Sequence, residues 1–427
     1  MRFEWVLVGL AMLAGGARAH AQPPAEPLPL PPPTSALAQP GVAPAPQPAP
    51  AAERSWLGGE HLTGDWAGSR SALIDRGIAL EALYASDAFT AHGQVTYLAH
   101  AAAALTLDSE KLGLWDGGKL YAMVQSNQGH SINNAVWSAE GVTNLEAGPY
   151  KELAELFIEQ AALDDRLRVR VGKQDANRDF GTPRLTGDFL NNSFGMYPTA
   201  PLPSYPMTGL GAIAIAKPLA WLDGKLAVYE GRPMVGGLGL ANAFHRGGGY
   251  TVVAGAAATH QRGAGRDGGT TSAGLWRQSG RFMQVDGAPV AEPRRFAHDM
   301  GWFVQHEERF YLHPDDPGDP RGLALIARAS WAQPDRTAIT RYAGASAAWH
   351  GIGSRRGDAV GIGGGYLRVT QPLGGTRGPR DEWFAELFYA LRVTRFVSLQ
   401  PDFQAFRHPG GDHESALVAG LRLKLAL

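Results

Sequence analysis

The sequence predicts an all-β fold, a membrane-spanning antiparallel β-barrel, from three observations. Beyond residue 54, short segments alternate apolar and polar side chains with a period of two, as strands do. These segments run about 9 to 13 residues, the length of a tilted membrane-crossing strand and longer than the usual soluble strand. The aromatic residues Trp331, Trp383 and Tyr389 lie on the apolar faces, as girdle residues do at the ends of a membrane band.

Composition removes several classes of function. The 39 Lys and Arg residues nearly balance the 40 Asp and Glu residues, and the net charge of −1 gives no basic field for nucleic acid. With no cysteine among 427 residues, disulfide scaffolds, thiol nucleophiles and thiolate metal sites are impossible. Glycine, at 55 residues, is about twice its usual share. We expect the glycines at bends and where loops fold back onto the wall, as in the run from Gly361 to Gly365.

The N-terminal region predicts export. Residues 1–21 fit a signal peptide, with Arg2 before a short apolar run and Ala19-His20-Ala21 as the cleavage motif. An uncleaved anchor is the alternative, but the apolar run is shorter than the ~20 residues that span a bilayer. Residues 22–53 are rich in Pro and Ala and predict an extended tether. The barrel is expected over residues 54–427.

The first clear strand pattern lies at residues 166–173. Cationic residues occupy Arg166, Arg168 and Arg170, while aliphatic residues occupy the positions between them. Because successive side chains of a strand point to opposite faces, the three arginines are expected to share one face. A helix would scatter them.

Later segments repeat the alternation. Residues 323–331, 383–393, 397–405 and 417–427 each oppose an apolar face to one that is polar or small, and the last segment runs to Leu427. A soluble β-sandwich would bury the apolar face, whereas a barrel turns that face to lipid. Segment length, the aromatic positions and a last segment that closes the sheet without a free edge favour the barrel.

Several motifs resemble the OprB family of carbohydrate-selective porins. They are residues 62–70 (LTGDWAGSR), 73–78 (LIDRGI), 172–177 (GKQDAN), 189–195 (FLNNSFG), 321–331 and 399–404 (LQPDFQ). The resemblance extends from about Trp56 to Leu427. It implies 16 antiparallel strands with short periplasmic turns and longer outer loops. It also implies passive passage of sugars, an outer-membrane location and a monomer or loose homo-oligomer. The final residue, Leu427, departs from the aromatic residue that usually ends such barrels.

A sugar-selective lumen needs donors and acceptors for hydroxyl groups. Arg supplies a fork of donors, and Asp, Glu and Gln accept. On this basis we expect the pore lining to include the following residues: Glu159, Arg166, Arg168, Arg170, Lys173, Asp175, Arg328, Glu386, Arg392, Asp402 and Gln404. The expected partners are mono- or disaccharides, outer-membrane lipid and the barrel assembly machinery, with no nucleic acid.

The sequence gives little support for an enzyme. It contains no Gly-x-Ser-x-Gly elbow and no His-Glu-x-x-His motif. Residues 313–320 (HPDDPGDP) lack the regular Asp spacing of a calcium loop and predict a proline-rigidified turn. No catalytic residue, metal site or cofactor is therefore expected.

Three other functions remain open. The arginines also fit a porin for other small polar or anionic solutes. A surface barrel for adhesion or cell-wall attachment would use the tether as its working part. A soluble secreted β-protein is the third possibility.

Overall fold

The computed structural model describes residues 59–236, 248–262, 266–285, 292–313, 316, 319, 321–370 and 380–427. The predicted signal peptide and tether lie outside these residues, as does most of the predicted turn at 313–320. The described residues belong to one compact unit, Ala36–Leu427.

The unit is a closed antiparallel barrel of sixteen strands. Its strands are β1 (Ile78–Ala91), β2 (Gln94–Asp108), β3 (Gly118–Gly129), β4 (Tyr150–Ala162), β5 (Leu167–Gln174), β6 (Gly209–Leu219), β7 (Leu222–Glu230), β8 (Tyr250–Arg262), β9 (Arg266–Met283), β10 (Arg295–Tyr311), β11 (Gly322–Ala332), β12 (Ile339–Ile352), β13 (Arg355–Val369), β14 (Arg380–Arg392), β15 (Val397–Arg407) and β16 (Ala416–Ala426). Each strand pairs with its neighbours in sequence, and β1 pairs with β16 from Leu83↔Ala426 to Thr90↔Ala419. The predicted sixteen-stranded barrel is confirmed.

The predicted division of each strand into two faces is also observed. Leu417 on β16 is 78% exposed on the outer surface, whereas Val418 beside it is 3% exposed. On β5, Val171 is 55% exposed and Arg170 only 7% exposed. The apolar faces therefore point outward, where a membrane protein meets lipid, and the polar faces point into the barrel.

The connections differ in length between the two ends of the barrel. At one end, here called the long-loop end, lie residues 130–149, 175–208 and 408–415, together with residues 231–236 and 248–249, which follow β7 and precede β8. At the other, the short-turn end, connections are as brief as residues 163–166, 220–221 and 353–354. This asymmetry is the one expected of short periplasmic turns and longer outer loops.

Two long connections fold into the barrel. Residues 130–149, the first inner loop, contain helix α2 (Asn133–Val136), and residues 175–208, the second inner loop, contain α3 (Asn177–Phe180) and α4 (Asn192–Gly195). Helix α1 (Ser69–Asp75) precedes β1, and Arg70 near its start donates to the backbone oxygen of Leu427 at 3.1 Å. In the described part of the chain, no helix has the length and apolar character to cross a membrane.

The hydrophobic core lies inside the barrel. One buried cluster joins Ile132, Val136 and Val142 of the first inner loop and Phe189 of the second to the inner wall. Another buries Phe180, Tyr197 and Leu202 of the second loop against the wall. The expectation of a polar lumen therefore holds for only part of the wall, because the inner loops bury their own apolar side chains against the rest.

Inward-facing glycines make room for these aromatic rings. Gly361, Gly363 and Gly365 lie within β13 rather than at bends, which corrects that part of the expectation. A Cβ on Gly363 would lie 2.7 Å from Phe194 and 3.0 Å from Phe189 of the second inner loop. A Cβ on Gly365 would lie 2.5 Å from the ring of Phe384. Much of the glycine excess thus serves close packing inside the barrel.

Candidate solute pathway

Two inward carboxylates hold the second inner loop by its backbone. Glu386 on β14 accepts hydrogen bonds from the N–H groups of Leu190 at 2.6 Å and Asn191 at 2.8 Å. On β10, one oxygen of Glu307 accepts from two adjacent N–H groups, those of Arg184 and Leu185, both at 2.7 Å. Charge-assisted bonds of this kind are roughly twice as strong as neutral ones. The carboxylates therefore set where the loop lies in the barrel.

Arg328 on β11 binds the same loop from another side. Its guanidinium donates to the carbonyl oxygen of Gly181 at 2.6 Å and to that of Phe194. The group also lies over the ring of Tyr197, 4.4 Å from its centroid. Arg328 is 4% exposed, so its forked donors are directed at loop carbonyls rather than at the lumen.

The first inner loop is held in a similar way. Arg422 on β16 donates to Asp87 on β1 at 2.6 Å and to the side chains of Asn144 at 2.7 Å and Thr143 at 2.6 Å. Gln404 on β15 donates to the carbonyl of Val142 at 2.8 Å. Gln404 also accepts from the side chain of Asn191 at 3.1 Å, so it joins the two inner loops.

Glu382 on β14 ties the first inner loop to the connection between β15 and β16. Its carboxylate accepts from Ser138 Oγ at 2.7 Å, from the N–H of Ala139 at 2.8 Å and from the N–H of Gly410 at 2.6 Å. The residue is completely buried. One strand carboxylate thus fixes two connections at the long-loop end relative to each other.

A cluster of paired charges lies where β4 and β5 meet the second inner loop. Arg170 donates to Glu159 at 2.8 Å and to Asp179 at 2.7 Å. Arg178 pairs with Glu155. Beneath these cations, Tyr121 and Phe157 stack with ring centroids 5.0 Å apart, and Arg170 lies 4.9 Å from the Phe157 centroid. The cluster combines cationic donors, acidic acceptors and aromatic faces.

Asp175 begins the second inner loop beside this cluster. Its carboxylate accepts from the N–H of Asn177 at 2.8 Å and from the N–H of Tyr205 at 3.4 Å. Burial, with the negative charge of Glu155 adding to it, raises the pKa of Asp175 to about 7. The carboxyl group therefore changes its charge near neutral pH.

Of the three arginines predicted to share one face of a strand, only two lie in β5. Arg168 and Arg170 share the inward register of β5, but Arg166 lies in the exposed turn before the strand. Glu159, which was expected to line the pore, pairs directly with Arg170 on the adjacent strand. The adjacent strand and the second inner loop, through Glu159 and Asp179, supply the partner charges of Arg170.

Lys173 and Arg392 do not share the register of the inward arginines of β5. Lys173 has the register of Val171, and its ammonium donates to the Leu153 carbonyl at 2.8 Å with Glu152 at 3.7 Å. The side chain is 7% exposed, although this register is the outward one of β5. Arg392 ends β14 at the short-turn end and is exposed.

Asp402 lies on the inner wall, completely buried, where Gln404 donates to it at 2.9 Å. Contact of any of the predicted residues with solute stays a prediction.

Sequence reasoning missed several residues that hold the loops. Glu307, Glu382, Asp87 and Arg422 were not expected as site residues, although each follows the inward period of its strand. At Glu307 the polar run Gln305-His306-Glu307-Glu308-Arg309 hides the alternation. The alternation of apolar and polar residues predicts which face of a strand a side chain lies on, but not which loop it contacts.

The comparisons with known proteins agree with this architecture. The sequence model of the family described as carbohydrate-selective porin, OprB family, matches residues 92–427. The chain is 23% identical over 436 residues to Porin B of Pseudomonas aeruginosa, covering 88% of this chain and 93% of that protein.

Two solved structures of Pseudomonas putida OprB share the fold. The high-pH structure gives a TM-score of 0.76 at 20% identity, covering 86% of this chain and 99% of the other. The low-pH structure gives 0.59 at 18% identity, with 86% and 98% covered. The family match over most of the sequence, with the barrel and its inner loops, makes the chain a member of the OprB family of carbohydrate-selective porins, which are transport channels of the Gram-negative outer membrane.

Proposed function

We propose that this porin passes neutral mono- and disaccharides by passive diffusion along the polar part of its inner wall. The observation that carries the proposal is the cluster of Arg170, Glu159 and Asp179 with Arg178 and Glu155. Its charges are paired, so it offers hydroxyl groups both donors and acceptors without a strong net field. A sugar can exchange water for these contacts and still leave.

The predicted pore-lining residues take two roles in this proposal. Arg168, Arg170, Glu159, Lys173 and Asp175 provide or adjoin the polar path. Arg328, Glu386, Asp402 and Gln404 act as positioning residues, because their polar atoms meet the inner loops or one another. Arg392 and Arg166 both lie at the short-turn end, Arg392 as the last residue of β14 and Arg166 in the turn before β5.

Liposome swelling with Arg168→Gln and Arg170→Gln variants tests the path. We expect each variant to change the rate of glucose-driven swelling, because each removes donors from the inward register of β5. Arg166→Gln is the matched control, since this arginine lies in the exposed turn and should leave the rate unchanged. Wild-type rates in both inward variants would contradict the assignment of this path.

A second candidate is a porin for anionic solutes. It is favoured by inward-register cations toward the short-turn end, which include Lys119, Arg168, Lys225 and Lys424. A planar-bilayer measurement separates the two candidates. Strong anion selectivity that added sugar leaves unchanged would favour the second, and sugar-dependent current would favour the first.

The N-terminal predictions form a separate part of the proposal. We expect residues 1–21 to be removed on export, residues 22–53 to act as a spacer and the barrel assembly machinery to insert the chain as a monomer or loose homo-oligomer. Mass spectrometry of the mature protein checks the cleavage. Deletion of residues 22–53 should leave sugar flux intact, whereas loss of flux would support the tether as a working part.

A further inference from the structure

One exposed aromatic residue lies at the long-loop end, apart from the charge cluster. Trp137 in the first inner loop is 57% exposed, although Val136 and Ser138 on either side of it are buried at 1% and 6%. Its backbone is left-handed, with φ 65° and ψ 26°. A bulky residue rarely adopts this conformation, so contacts of the surrounding loop must hold the backbone here.

The backbone around Trp137 is fixed by one side chain. Asn133 accepts from the N–H of Ser138 at 2.8 Å and donates to its carbonyl oxygen at 2.9 Å. The N–H of Trp137 donates to the carbonyl of Asn133 at 2.8 Å. The loop closes around these bonds and directs the indole away from the buried side.

The indole stacks on a second ring from another connection. His413, between β15 and β16, lies parallel to Trp137 with centroids 5.2 Å apart and planes 4° from each other. Gly410 permits this approach, because a Cβ there would lie 2.7 Å from the carbonyl oxygen of Trp137. Glu382 holds both connections from below through Ser138, Ala139 and Gly410.

Polar groups border the stacked pair. Asp412 lies 3.1 Å from Nδ1 of His413 and its side chain is 52% exposed. The two rings and this carboxylate form what we call the aromatic platform: Trp137, His413 and Asp412. With His413 stacked against it, Trp137 is still 57% exposed, so indole surface remains for a ligand.

We propose that the aromatic platform is a capture site for pyranose sugars at the long-loop mouth, ahead of the charge cluster. The C–H face of a pyranose ring would stack on the free indole face, and its hydroxyl groups would donate to Asp412. The inference rests on the proposed sugar transport and adds a first contact to it. A fixed, exposed ring ties up little conformational entropy on binding.

The test measures sugar-dependent current in planar bilayers, with glucose added on the long-loop side. We expect Trp137→Ala to raise the half-saturating glucose concentration by about 3- to 10-fold, in keeping with the loss of one ring contact. Trp137→Phe should recover part of this loss. Ion conductance without sugar should stay at the wild-type value, since the ring lies outside the buried loop contacts.

Two controls make the result specific. Trp221→Ala removes a tryptophan that is 54% exposed in the connection between β6 and β7 at the short-turn end, and it should leave the half-saturating concentration unchanged. Sorbitol is an open-chain polyol with hydroxyl groups similar to those of glucose but no ring face, so its effect on the current should not respond to Trp137→Ala.

The outcomes separate the platform from the transport function. If wild-type porin passes glucose but Trp137→Ala leaves the half-saturating glucose concentration unchanged, the aromatic platform is not a capture site, and the proposed sugar transport is unaffected. An altered ion conductance in Trp137→Ala, without recovery by Trp137→Phe, would show that the ring only packs the loop and would also overturn the proposal. If the wild-type channel passes no sugar, the proposed transport fails and the platform fails with it.

Discussion

Single buried side chains decide where the inner loops lie. Glu386 is 1% exposed and its two oxygens meet two consecutive backbone N–H groups. Asp87 and Arg422 are as deeply buried and pair at 2.6 Å. Removing one member of such a set leaves buried partners unsatisfied, which costs more than the set contributes when intact. The positioning residues are therefore the sensitive ones.

Glu386→Ala should release part of the second inner loop. The N–H groups of Leu190 and Asn191 would lose their acceptor, at about 1–3 kcal/mol for each buried unpaired group. We expect faster proteolysis within residues 175–208 and higher, noisier single-channel conductance, while the barrel still folds. Glu414→Gln changes an exposed carboxylate at the long-loop end and serves as the control. Wild-type proteolysis and conductance in Glu386→Ala would contradict the positioning role.

At the scale of elements, the inner wall and the inner loops form one packed unit. Strand β13 contributes three inward glycines, and the phenylalanine rings of the second inner loop and β14 occupy the space above them. Interiors packed this closely tolerate added volume poorly. The inner wall and the second inner loop are therefore complementary in shape.

Gly363→Val tests this packing. The added side chain would meet Phe194, Ser346 and Phe189 at 3.0 Å or less, and such overpacking costs about 1–3 kcal/mol. We expect the second inner loop to shift, with a measurable change in single-channel conductance. Gly224→Ala on β7 is the control, because the nearest atom to its Cβ would lie 3.9 Å away. Equal conductance in the two variants would contradict close packing of the second inner loop on the inner wall.

The second inner loop should also respond to pH through Asp175. Burial raises its pKa from 3.8 to about 7, so the folded loop favours the protonated form. The stabilisation is fully present below pH 3.8 and is lost as the pH rises toward about 7. Hydrogen exchange within residues 175–208, divided at each pH by the intrinsic base-catalysed rate of an unprotected amide, should therefore quicken between pH 5 and pH 8, where Asp175 loses its proton. Asp175→Asn should flatten the dependence, and an unchanged dependence in that variant would assign it to another group.

At the scale of the whole molecule, the period-two pattern was enough to predict the barrel. Leu417 and Val171 outside and Arg170 inside lie where alternation placed them. The number of strands required the family resemblance. The burial of Phe189 and Phe194 inside the barrel was not predictable, because a loop has no period that tells which wall it meets.

For the site residues too, alternation predicted the face of the strand but not the contacts of the side chain. Alternation identified Glu386, Asp402, Gln404 and Arg328 as inward, and the structure agrees. Their engagement with loop backbone depends on contacts between residues far apart in sequence, such as Glu386 with Leu190. Lys173 has the register of the outward Val171, yet it is 7% exposed and its ammonium donates to the Leu153 carbonyl, which alternation alone does not predict. The near-zero net charge of −1 agrees with a lumen whose acids and bases are largely paired.

Passage of neutral sugars through this barrel can be measured with purified porin in liposomes. The experiment compares the uptake of a panel of mono- and disaccharides with that of amino acids of similar size. We expect faster entry of the sugars and a loss of that preference in the Arg168→Gln and Arg170→Gln variants. Equal entry of sugars and amino acids, or a preference for anionic solutes that sugar does not affect, would contradict the proposed sugar transport.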